Sequence, residues 1–303
     1  MELFAQELVT GLALGAIYAL VALGYTLVYG ILEFINFAHG DLYTLATFIA
    51  LAVVMALGLG DATTGTRLVL ALVLVLSTTM LATGMVAVLI ERVAYRPLRH
   101  SPRIAPLITA VGVSFVLQNL MQLWRGPSPV SFPQFVPVIR TVVAGVRLDT
   151  NEAIAVSVAA AAIVALHLFT TRTKTGKAMR AVAQDRDAAA LVGIDLDRII
   201  LVTFFIGGVL AGLGGVVSGL YYGSTWFYAG FAAGLKAFTA AVLGGIGSVQ
   251  GAMLGGLLIG LIEAVVSGFA SDEWSTVAVF LILVGVLTFR PSGIMGEAAI
   301  NKV

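Results

Sequence analysis

Apolar residues run along this chain in long blocks, each closed by a short polar break. A helix needs about 20 such residues to cross the hydrocarbon core of a bilayer, and most of the blocks match that length. The first span covers about residues 8–29 and ends in the polar stretch 33–41. The second covers about 42–59. A turn over 60–67, containing Asp61, Thr63, Thr64 and Gly65, leads into a third span at about 68–90. An arginine-rich stretch, 91–103, precedes the fourth span at about 104–124. Residues 125–151 form the longest irregular connection, because Pro127, Pro129, Pro133 and Pro137 oppose both helix and central strand. A fifth span at 152–169 and a sixth at 199–221 enclose a polar island, 170–198. A short span or re-entrant segment at about 232–243, a turn at 244–250, another span to Val266 and a last span at 275–289 complete the chain. No run alternates in the barrel manner. The pattern therefore predicts one all-α polytopic membrane domain over residues 1–303, with eight or nine crossings.

Within the island, residues 177–192 have helical spacing. Met179, Val182, Ala183, Ala189 and Ala190 fall mainly on one side, with Lys177, Arg180, Gln184 and Asp187 on the other. Gly193 is placed to stop this helix. An ordinary charged loop would explain the composition; a docking surface for a soluble partner would explain the amphipathic helix as well. Glycines recur at four-residue spacing, as in Gly11/Gly15, Gly208/Gly212, Gly215/Gly219/Gly223, Gly247/Gly251/Gly255 and Gly256/Gly260, which predicts close helix packing.

Charge sets the orientation. Of 17 Lys and Arg residues, 12 fall in the stretch 91–103, the island and the segment from Arg290 onward. Basic excess in short loops marks the cytoplasmic side, so the proline-rich connection belongs outside. Hydrophobic residues make up 59% and charged residues 11%, with mean hydropathy +1.03, far from soluble composition. Cysteine is absent, which removes disulfides, thiol catalysis and cysteine metal sites. Glu2 and Glu7 without a basic leader argue against a cleaved signal, so the first span is expected to be retained.

Catalytic signals are missing. Gly176-Lys177 suggests a phosphate loop, but Thr171 stands where its first glycine should be and Ala178 where Ser or Thr should be. His39, His100 and His167 are scattered and lack acidic companions at metal-ligand spacing. The expectation is a chain that is not an enzyme and holds no metal or cofactor of its own. Polar residues within the spans are the candidate pathway, since stranding them in hydrocarbon is costly. Asn36, His39 and Asp41 read either as pathway or as an interfacial turn with Asp41 capping the second span. Ser114, Gln118 and Asn119 form a polar stripe that suits helix–helix hydrogen bonding better than a pathway. Lys236, with Thr239 beside it, stands near a segment end from which it can snorkel, whereas Glu263 lies well into its span and needs a base or a pathway. Two glycine-bearing breaks, 36–40 and 244–250, could present helix ends to a solute carboxylate or ammonium.

Asp187-Ala188-Ala189 followed after three residues by Gly193 resembles the Glu-Ala-Ala-x-x-x-Gly signature of ATP-binding-cassette importer permeases, with Asp in place of Glu. The runs Gly15 to Gly24, Val28-Tyr29-Gly30, Ile35-Asn36-Phe37-Ala38-His39-Gly40-Asp41, Gly176 to Asp185 and Phe238 to Ser248 resemble the LivH-type branch of the branched-chain amino acid permeases. The resemblance implies an inner-membrane translocation subunit paired with a second, LivM-type permease. It further implies two ATPase subunits, which would bind the ATP, and a periplasmic amino-acid-binding protein. It puts Lys177, Arg180, Gln184, Asp185, Asp187 and Gly193 on the ATPase. Urea, amide or sugar permeases of the same kind, and a secondary transporter, are the alternatives.

Overall fold

The computed structural model describes residues 2–60, 63–99, 101–102, 104–143 and 145–296. Asp61, His100, Arg103 and the tail from residue 297 lie outside the described residues. Helix α1 (Glu2–Leu32) is apolar on all sides and is accordingly buried on all sides through its middle. It packs on α8 (Leu196–Tyr222) and on α10 (Val249–Phe269). The glycines explain how closely. A Cβ on Gly15 would stand 2.7 Å from Leu257 Cα, and one on Gly256 would stand 2.6 Å from Ala19 Cα. These backbones touch, which is how helices gain packing where no hydrophobic drive separates them from lipid.

The same device joins α8 to α2 (Ala38–Ala56) through Gly215, and to α3 (Gly65–Ile90) through Gly208 and Gly212. Outside this core stand α3, α4 (Ile104–Arg125), α5 (Thr150–Arg172) and α11 (Asp272–Phe289), whose Leu70, Leu81, Phe115, Val164 and Leu281 are exposed and suit a lipid boundary. Among the described residues, eight helices are long and apolar enough to cross a membrane. The short segment anticipated near 232–243 is α9 (Ala229–Gly244). Its 16 residues reach only about 24 Å, short of a crossing of about 30 Å.

Two expectations need correction. The connection 125–151 is not wholly irregular: β1 (Val130–Ser131) pairs with β4 (Ser224–Thr225), and β2 (Arg140–Val143) with β3 (Val146–Asp149) in a hairpin. The prolines precede the hairpin rather than interrupting it. Nor is 177–192 one helix. It divides into α6 (Lys174–Gln184) and α7 (Arg186–Leu191), because Asp185 is extended and its carboxylate caps the Ala188 N–H at 3.0 Å. Gly193 does end the segment, at φ +85°.

The basic face, with α6, α7 and the ends of α3 and α5, is the one that the charge bias expects in the cytoplasm. Helix α1 begins on the opposite face: Gln6 exchanges hydrogen bonds with the Arg147 backbone at 3.1 and 2.8 Å. Its far end meets α7, where Arg186 donates to the Ile31 carbonyl.

Candidate functional site

A cavity of about 530 Å³ opens among the outer ends of α1, α8, α9, α10 and α11, with α2 contributing one wall. Tyr18, Tyr43, Tyr222 and Trp226 give it an aromatic, hydroxyl-bearing surface. The Tyr43 hydroxyl donates to Ser218, tying α2 to α8 at the wall. Lys236, two turns into α9, donates to Glu263 Oε1 of α10 at 2.6 Å, and both side chains are largely buried while lining the cavity. Glu263 Oε2 has no hydrogen-bond partner. Ala229, Ala232 and Ala233, in the first turns of α9, also face this space. The positive end of a short helix, the Lys236 ammonium and three carboxylates (Glu7 and Asp272 nearer the mouth, and Glu263 with its spare oxygen) therefore share one chamber. That set matches a small solute carrying both a carboxylate and an ammonium.

Further inward along α1, α2 and α9 the chamber gives way to aromatic packing. Tyr25 meets His39 with ring centres 5.0 Å apart and Phe238 at 6.2 Å, and Phe37 meets Phe238 at 6.2 Å. His39 fits only because residue 24 is glycine; its imidazole occupies the space a Cβ would take.

Of the pathway candidates, the structure places Glu263 alone in the chamber wall. Asn36 is buried at the inner end, accepting from the Tyr95 hydroxyl at 2.6 Å. Asp41 does not cap α2, which starts at Ala38. It accepts instead from Ser114 and from Gln118 Nε2 at 3.1 Å, fastening α4 to α2. Asn119 leaves that stripe and donates to its own helix at Phe115 O, 2.7 Å. Thr239 is buried and bonds to the Leu235 carbonyl at 2.9 Å. Lys236 does not snorkel; it pairs.

The residues expected to dock the ATPase sit on the opposite face. Lys177, Arg180, Gln184, Asp185, Asp187 and Gly193 are all exposed, while Met179, Val182 and Ala189 turn inward. Beyond them Leu191 and Val192 are 88% and 77% exposed, an apolar tip on an aqueous face. The sequence pattern singles out Met179, Val182, Ala183, Ala189 and Ala190 as the apolar side and does not single out Leu191 or Val192; in the structure Ala183 and Ala190 are exposed as well. Also unforeseen is the network behind the tip. Asp197 at the start of α8 pairs with Arg96 and Arg99, and Arg99 pairs with the fully buried Glu91. Glu91 and Arg96 follow α3 in a π-helical turn (Glu91–Tyr95) and a 3₁₀ turn (Arg96–Leu98), with Arg99 just beyond, and Pro97 cannot donate to a continuing α ladder. Among the described residues no group of three or more His, Asp or Glu side chains could hold a metal.

Comparison with known proteins agrees with this architecture. Residues 7–287 match the family model described as branched-chain amino acid transport system / permease component. The high-affinity branched-chain amino acid transport system permease protein LivH of Escherichia coli K12 is 42% identical over 314 residues, covering 99% of this chain and 98% of that protein. LivH of Salmonella typhimurium LT2 is 41% identical with the same coverage. BraD of Pseudomonas aeruginosa PAO1 is 40% identical over 304 residues, again covering 99% and 98%. Matches of this length and identity, on a bundle of eight membrane-length helices, place the chain in the branched-chain amino acid transport system permease component family.

Proposed function

We propose that this chain is the translocation subunit of an ATP-driven importer of branched-chain or related amino acids in the bacterial inner membrane. It works with a second permease of LivM type, two ATPase subunits on the cytoplasmic face and a periplasmic binding protein on the outer face. The observation that carries the reading is the α6–α7 pair, a charged helix with an exposed apolar tip mechanically fastened to the bundle. Arg186 fastens it to the end of α1, and Asp197 fastens the adjoining start of α8 to the end of α3.

A delivered amino acid would sit in the outer chamber, its carboxylate toward Lys236 and the first turn of α9, its ammonium toward Glu263 Oε2. Closure of the ATPases pushes on α6 and α7. Through Arg186 the push reaches α1, which carries Tyr25, one of the aromatic side chains that seal the chamber from below. Moving Tyr25 relative to His39 and Phe238 opens the inner route while the outer one closes. ATP is bound and hydrolysed by the partners.

The test is co-purification and uptake. Replacing Arg180 and Asp187 together with residues of opposite charge should abolish ATP-driven leucine uptake and ATPase retention while insertion of the chain is unchanged. Unaltered uptake would falsify the docking assignment. The aromatic chamber also favours a second reading, a polyhydroxy solute such as a sugar. Binding of leucine or of a monosaccharide by the partner periplasmic protein separates the two.

A further inference from the structure

A second cavity, about 250 Å³, lies on the cytoplasmic side between the docking helix and the bundle. Its walls come from four places: the last turns of α1, the end of α5, the α6 docking helix, and the turn leading into α10. Of the docking residues named above, Arg180 alone lines it.

Its chemistry is uneven. Leu27, Ile31, Met179 and Val249 make most of the wall apolar. Arg180 and His167 stand on the rim, no acidic side chain lines the space, and Arg180 has no ion-pair partner among the described residues. Thr26 lines the inner end; it is 1% exposed, and its Oγ1 is buried without a hydrogen-bond partner. An unmatched buried hydroxyl beside an apolar space is costly until something satisfies it. A small body with an aliphatic part, a carboxylate for Arg180 and a polar hydrogen for Thr26 complements all three features, and the space is below the usual size for larger ligands.

Resting on the reading of the chain as an amino-acid importer, we infer that this cavity is a product-sensing site. A free aliphatic amino acid from the cytoplasm binds there and slows further import. The placement supplies the mechanism. Transmission requires α6, and with it the attached end of α1, to move relative to α5 and the turn into α10, and a ligand touching all of them ties the docking helix to its resting position. It acts by binding the resting state better than the moved one, so inhibition follows occupancy.

The experiment uses proteoliposomes holding the whole complex, ATP enclosed, the binding protein outside and radiolabelled leucine as the probe. Two variants perturb the cavity without touching the docking residues. Thr26→Val removes the hydroxyl at nearly constant shape. Gly30→Leu fills the space, since a Cβ there meets only Gly247 Cα, at 3.7 Å. With an empty lumen, wild type and Thr26→Val should import at the same rate. Millimolar unlabelled leucine enclosed in the lumen should slow wild type several-fold and leave both variants nearly unaffected.

Import by wild type that ignores lumenal leucine overturns the site, as does equal inhibition of wild type and variants. Slower import by Thr26→Val with an empty lumen would put the cavity on the transport route and overturn the sensing role. Absence of ATP-driven leucine import by wild type overturns the functional reading itself, and the choice of ligand with it.

Discussion

Lys236 Nζ of α9 stands 2.6 Å from Glu263 Oε1 of α10, and the two make an ion pair inside a membrane bundle. Two charges in such a place hold each other, and removing one leaves the other stranded. Lys236→Met should therefore lower stability by up to about 3 kcal/mol, water in the chamber limiting the loss. Exchanging the two, Lys236→Glu with Glu263→Lys, should restore thermal stability in detergent but not uptake, because the polarity offered to a zwitterion is then reversed. Recovery of uptake in the exchanged pair would show that the charges only brace the helices.

The exposed tip of α7 makes a second expectation. Leu191 is 88% exposed, so Leu191→Glu should leave folding within about 0.5 kcal/mol of wild type, as surface changes do. Its effect should appear in assembly: ATPase subunits lost on purification, and uptake reduced at least several-fold. Normal retention of both ATPase subunits by the variant would remove the tip from the interface.

The membrane helices could be read from hydropathy because lipid demands a long apolar block wherever a helix crosses, and the charge bias oriented them. Their neighbours were harder. Glycine spacing announced that α1, α8 and α10 pack closely, but not that Gly15 meets Leu257 or that Gly208 meets Thr83. Partner choice depends on three-dimensional register, which spacing within one helix does not contain. Asp41 illustrates the same limit. Its position near a helix start suggested a cap, whereas its partners Ser114 and Gln118 lie more than 70 residues away. The break at Asp185 could have been anticipated in part, since Asp is a preferred N-cap residue and Ala188-Ala189-Ala190 after it favours a fresh helix start. The tyrosines of the outer chamber could not, as aromatic residues in a span suit packing equally well.

Glycine contacts offer a graded test. A Cβ on Gly260 would collide with the backbone of Gly15, whereas one on Gly285 meets nothing within 4 Å. Gly260→Ala should cost about 1–3 kcal/mol through forced separation of α1 and α10. Gly285→Ala should be neutral or slightly stabilising, by about 0.5–1 kcal/mol, because alanine is the better helix former. Melting of the two variants in the same detergent checks the pair, and a similar loss in both would mean that helix propensity rather than backbone contact sets the outcome.

Asn36 and Tyr95 close the inner end of the bundle, where the phenol donates at 2.6 Å to an amide oxygen and both residues are nearly inaccessible. Tyr95→Phe keeps the ring that packs on Phe34 and Phe204 but removes the donor. Asn36 Oδ1 is then left buried and unmatched, at a cost of about 1–3 kcal/mol. Adding Asn36→Leu removes the stranded oxygen, so the double variant should recover part of that loss. Function should separate from stability here. Tyr95 precedes Arg96 and Arg99, which pair with Asp197 at the start of α8, so the hydrogen bond links the polar break after α1 to the segment driven by the docking helices. The double variant is expected to hydrolyse ATP in complex at a near-normal rate yet import leucine several-fold more slowly. Recovery of import in step with stability would reduce the contact to ordinary packing.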